Sequence, residues 1–76
     1  MDYRIAIVDD DKNLLESLGY MLNSEGFAVD SYSNGEQALQ GIRRSSIDLV
    51  ILDLCMPNIS GFKLFQKLKE TIPSLS

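Results

Sequence analysis

Two short apolar runs, Ile5 to Val8 and Leu49 to Leu52, each stop abruptly at aspartate: Asp9, Asp10 and Asp11 after the first, Asp53 after the second. A continuous apolar run rich in β-branched residues is the pattern of a strand buried on both faces, and a sudden change to carboxylates marks where it emerges at a sheet edge. These runs place β1 at Arg4 to Val8 and β3 at Asp48 to Leu52. Strands covered on both faces belong to parallel sheets, which need helical crossovers between neighbours. The stretches 9–26 and 33–47 are long enough to supply them.

The spacing within those stretches agrees. Leu14, Leu15, Leu18, Met21 and Leu22 recur at intervals of three and four, predicting an amphipathic helix over Asn13 to Glu25 that Gly26 closes in a left-handed cap. Gly19 lies inside it and weakens it slightly. Phe27 to Tyr32 alternates as a second strand, β2. Ser33-Asn34-Gly35-Glu36 reads as a capping box ahead of a second helix carrying Ala38, Leu39 and Ile42, which ends near Arg43 and Arg44. After Pro57 comes a loop, and Ser60 caps a third helix bearing Phe62, Leu64, Phe65, Leu68 and Ile72 until Pro73 ends it.

The order is βαβαβα. Right-handed crossovers then put β1 between β2 and β3, with the first helix on one face and the other two on the opposite face. This is an α/β fold, a flavodoxin-like doubly wound parallel sheet of strand order 2-1-3, left incomplete.

Composition narrows the chemistry. The chain has 76 residues, 45% of them hydrophobic and 24% charged, the make-up of a single soluble globular piece. Such a short chain buries only roughly 60% of the surface its unfolded form exposes, so stability is marginal. It has one cysteine and no histidine, which excludes an internal disulfide, a Cys/His zinc site and a histidine base. No apolar run is long enough to cross a bilayer or form a secretory core, so a cytoplasmic location is expected. A net charge of −4 repels a phosphate backbone, so no direct nucleic-acid contact is expected from this segment.

Open parallel sheets bind ligands beyond the carboxyl ends of their strands, where the strand order reverses. Here that point lies between β1 and β3, and both acid clusters converge on it. Carboxylates gathered in one crevice repel each other unless a cation neutralises them. With only oxygen ligands, a hard divalent ion fits best, and magnesium, bound through one or two carboxylates and a phosphate oxygen, suits phosphoryl chemistry.

These residues resemble the receiver domain of bacterial two-component response regulators. Asp9-Asp10 after a buried first strand is similar to that family's acidic pair, Asp53 to its phosphoaccepting aspartate, and Asp53-Leu54-Cys55-Met56-Pro57 followed by Gly61 to the loop after it. Asn34-Gly35-Glu36 with Ala38-Leu39 is similar to the usual start of its second helix. The resemblance implies that Asp10, Asp53 and the backbone carbonyl of Cys55 ligate Mg²⁺ directly and that Asp9 does so through water. It also implies that Asp53 takes a phosphoryl group from a sensor histidine kinase or a small phosphodonor. Such a chain is a phosphoacceptor that assists its own modification rather than an enzyme.

Ser60 departs from the family, which commonly has an acid there. Receivers are also longer, five-stranded domains, so residues 1–76 are expected to be the N-terminal part of one, truncated after the third helix. The hydroxyl and lysine that the family carries on its fourth and fifth strands have no counterpart here. Lys12, Lys63 and Lys67 read as solvated helix charges. The absence of that later hydroxyl and lysine is expected to slow phosphotransfer. An uncovered β3 edge further implies self-association, through that edge or by swapped elements, unless the remainder was cleaved from a longer parent.

Two other readings stay open. Asp9-Asp10-Asp11 is an Asp-x-Asp pair resembling haloacid-dehalogenase-type phosphohydrolases, with Asp9 as nucleophile and Asp11 as acid, although Lys12-Asn13 does not continue that pattern. The alternative is a receiver-derived interaction module that is not phosphorylated. Asp11 itself reads as a solvated loop or helix-start charge, and Cys55 as a small side chain rather than a redox centre.

Overall fold

A computed structural model describes residues 3–44, 46–53 and 61–71. Three strands, β1 (Arg4–Val8), β2 (Ala28–Tyr32) and β3 (Leu49–Leu52), alternate with three helices, α1 (Lys12–Ser24), α2 (Gly35–Arg44) and α3 (Gly61–Thr71). The sheet has the order β2-β1-β3 and both pairings are parallel, with Val8 opposite Tyr32 on one side and Leu52 on the other. The expected α/β architecture is therefore present, with β1 in the middle.

Alternation along β1 builds two cores. Ile5 and Ile7 face α1 and pack with Leu15, Leu18, Leu22, Phe27, Val29 and Leu49. Ala6 and Val8 face the other way, against Ala38 and Ile42 of α2 and Leu64 and Leu68 of α3. All four apolar residues of β1 are buried, which is why its pattern is a continuous run.

The α1 stripe is narrower than its spacing suggests. Leu15 is buried, but Leu14 and Met21 are about half exposed at 47% and 53%. The helix lies mainly over β2 and β1, so the β3 side of that face is thinly covered and Ile51 is 39% exposed. On α3, Leu64 and Leu68 are buried as expected, whereas Phe65 is exposed. The Phe62 side chain, Ile72 and Pro73 lie outside the described residues.

Local chemistry sets the ends. The Phe27 amide donates to the Leu22 carbonyl and the Gly26 amide to the Asn23 carbonyl, with Gly26 at φ 95°, a left-handed closure of α1. The Phe27 amide belongs to this closure, the Ala28 amide donates to the Tyr3 carbonyl, and β2 starts at Ala28, one residue later than its alternation suggests. α2 is capped by Asn34, whose Oδ1 accepts the Gln37 amide at 2.8 Å, and not by Ser33. The Ser60 cap and the Pro57 loop fall outside the described residues.

Candidate metal and phosphoryl site

Asp9 and Asp53 follow adjacent parallel strands, and the backbone of each is pinned to a neighbour. The Asp9 amide donates to the Tyr32 carbonyl at 3.1 Å, and the Asp53 amide to the Val8 carbonyl at 2.9 Å. The ends of β2, β1 and β3 are thus laced together where the acids emerge.

One carboxylate oxygen from each of Asp9, Asp10 and Asp53 can be chosen so that all lie within 4.8 Å of one another. Asp9 and Asp53 are half-buried and Asp10 is exposed. Three like charges so close repel, and an interposed cation relieves the repulsion. The donor set is oxygen only, with neither imidazole nor thiolate, and it is open on the Asp10 side. That suits a hard divalent ion that keeps part of its hydration, as Mg²⁺ does. The residues present therefore fit the expected ion. Cys55, the remaining expected ligand through its carbonyl, lies outside the described residues.

Asp11 does not join the cluster. Its Oδ1 accepts the amides of Asn13 at 3.0 Å and Leu14 at 3.2 Å, making it the N-cap of α1. This matches a helix-start role and disfavours an acid aimed at a substrate. The sequence reading missed a further bond: the Asp11 amide donates to Asp9 Oδ1 at 2.9 Å. An aspartate two residues before an N-cap is a signal that could have suggested such a turn. Lys12, Lys63 and Lys67 are exposed on their helices.

Beside the acids, a groove of about 150 Å³ runs between α1 and β3, with Leu14, Leu18, Ile51 and Leu52 leading to Asp9 and Asp53. It lies on the thinly covered side of the sheet.

A family model described as the response regulator receiver domain matches residues 5–76. The chain belongs to that family. It is 37% identical to the regulatory protein VanRc of Enterococcus gallinarum over 71 residues, covering 93% of this chain and 31% of that protein. Among solved structures it resembles the response regulator TrrA of Thermotoga maritima in complex with Mg²⁺-BeF, with a TM-score of 0.92 and 38% identity over 97% of this chain and 64% of that one. It also resembles the same regulator in complex with the histidine kinase ThkA, with a TM-score of 0.91. The chain thus spans about a third of that curated relative and under two thirds of the solved regulator.

Proposed function

We propose that residues 1–76 form the N-terminal part of a receiver in which Asp53 accepts a phosphoryl group from a sensor histidine kinase, in the cytoplasm, with Mg²⁺ held by Asp10, Asp53 and the Cys55 carbonyl and, through water, by Asp9. The observation that carries this reading is the convergence of Asp9, Asp10 and Asp53 within 4.8 Å at the ends of paired strands. The Mg²⁺-BeF complex of TrrA and its complex with a kinase support it by similarity.

In this mechanism the Asp53 carboxylate oxygen attacks the phosphorus of a phosphohistidine, the P–N bond breaks, and the imidazole leaves and takes a proton from solvent. The product is an acyl phosphate on Asp53. Bound Mg²⁺ supplies neutralisation of the phosphoryl oxygens' charge. Asp9 and Asp10 hold the cation side of the site, while the bond between the Asp53 amide and Val8 fixes where the nucleophile stands. Residues 1–76 offer no counterpart of the family's later hydroxyl and lysine, so transfer to a polypeptide of these residues alone is slow.

The edge of β3 favours a second property. Among the described residues β3 pairs on one side only, all its residues are apolar, and Ile51 is exposed beside Leu14. Such an edge is a template for pairing with another chain, which favours self-association of a polypeptide limited to these residues. Light scattering that finds a monomer at high concentration would count against this.

The deciding experiment for the site is binding of beryllofluoride with Mg²⁺, followed by amide chemical shifts near residues 9 and 53. Binding that disappears in Asp53→Asn supports the receiver mechanism. Loss in Asp9→Asn alone points to the phosphohydrolase reading, and no binding by the unmodified chain points to the interaction module.

A further inference from the structure

Asp11 stands outside the acidic cluster, yet its backbone and side chain link that cluster to a helix. Its amide donates to Asp9 Oδ1 at 2.9 Å, its own Oδ1 accepts from the Asn13 and Leu14 amides, and its carbonyl accepts from Leu15 at 3.0 Å. Asp9 is meanwhile tied at its amide to Tyr32. We infer that Asp11 is a positioning residue for the candidate cation site: by capping α1 it holds its own amide against Asp9 Oδ1 and so fixes how the Asp9 carboxylate is presented to Asp10 and Asp53.

The physical argument is preorganisation. A carboxylate on an untethered turn samples several rotamers, and cation binding must freeze them. In this chain the folded turn has already restricted Asp9, because the cap commits residue 11 to one backbone conformation, extended at φ −85° and ψ 102°. Groups that orient a metal's ligands typically matter nearly as much as the ligands do. The negative charge of Asp11 lies against the positive end of α1, which stabilises the same cap. This inference rests on the proposed cation site.

The test uses the whole 76-residue chain and Mg²⁺ alone. Asp11→Asn and Asp11→Ser keep a capping acceptor without the charge. Asp11→Ala removes it, and Asp11→Gly removes it at little cost to helix stability, so at least one acceptor-free variant stays folded. The expected result is Mg²⁺ affinity weakened about tenfold in Asp11→Gly and Asp11→Ala. In Asp11→Asn and Asp11→Ser it stays within about threefold, since the capping acceptor is kept and the charge lost is solvent-exposed. Equal losses in Asp11→Asn and Asp11→Gly would make the effect one of charge and overturn the inference, as would unchanged affinity in Asp11→Gly. Hydrogen exchange of the residue 11 amide, read without metal, separates the two claims. Faster exchange in Asp11→Gly than in Asp11→Asn supports the tether even if the unmodified chain takes up no Mg²⁺, a result that would sink the cation site instead. Equal rates in all variants overturn the tether.

Discussion

The amide of Asp53 donates to the carbonyl of Val8 across 2.9 Å, so the last residue of the central strand anchors the acid of its neighbour while leading directly into Asp9. Backbone pairing, not side-chain attraction, brings the carboxylates together. The cluster is assembled against its own repulsion, and the fold sustains it with the buried contacts of Val8 and Ile7 directly beneath.

Relief of that repulsion is measurable. Without divalent cations, Asp10→Asn is expected to unfold at higher urea than the unmodified chain, because one of the like charges is gone. With Mg²⁺ present the order reverses. A chain that binds the ion gains about 1.4 kcal/mol when the free ion stands at about ten times its dissociation constant, and the variant gains less. Urea titrations with and without Mg²⁺ check both halves, and a variant stabilised equally by Mg²⁺ would remove Asp10 from the ligand set.

The cap of α2 separates two adjacent residues. Asn34→Ala leaves the Gln37 amide without its 2.8 Å acceptor and is expected to cost about 1 kcal/mol. Ser33→Ala, one residue earlier, is expected to change stability by less than about 0.5 kcal/mol. Denaturation midpoints of the two variants decide it, and a larger loss at Ser33 would return the cap to that residue.

Those neighbours show where sequence reading ends. Ser33-x-x-Glu36 and Asn34-x-x-Gln37 both satisfy the capping signature, and only the backbone register chooses between them. The strands were legible because Ile5 to Val8 and Leu49 to Leu52 are apolar on both faces and end in acids, leaving no competing period. The site followed from topology, since strand order alone brings Asp53 beside Asp9. What stayed hidden depends on distances between elements. Leu14 and Met21 have core spacing but stand on the flank of a helix that lies over β2 and β1. The Asp9 to Asp11 bond likewise depends on a turn that composition does not specify.

Two glycines in helices should respond in opposite directions to the same change. A methyl at Gly19 would meet Ser31, Val29 and Ile7 atoms at 3.8 to 3.9 Å, ordinary contact distances, in a helical backbone. Gly19→Ala is therefore expected to stabilise by about 0.5–1 kcal/mol through helix propensity. At Gly41 the methyl would collide with the Tyr32 ring and hydroxyl, so Gly41→Ala is expected to destabilise by about 1–3 kcal/mol unless that ring swings away. Thermal unfolding of the pair provides the comparison, and a stabilised Gly41→Ala would mean Tyr32 moves freely.

Tyr32 itself gives a pH signature. Burial raises its phenol above the ordinary value of 10.0, the Asp30 charge adds to the rise, and Arg4, paired with Asp30 at 2.8 Å, opposes it. A raised pKa means the folded chain keeps this proton after the unfolded chain has begun to lose it. The associated stability is thus intact below about pH 10 and is lost as the pH climbs from there through the higher folded value. Unfolding measured at about pH 8 and about pH 11 for the unmodified chain and Tyr32→Phe isolates this group, because the other groups that titrate there are common to both. The unmodified chain is expected to lose more stability over that interval than the variant. Identical losses would show that the phenol is as well solvated in the folded chain as in the unfolded one, and that the packing of Tyr32 across Gly41 does not shield it.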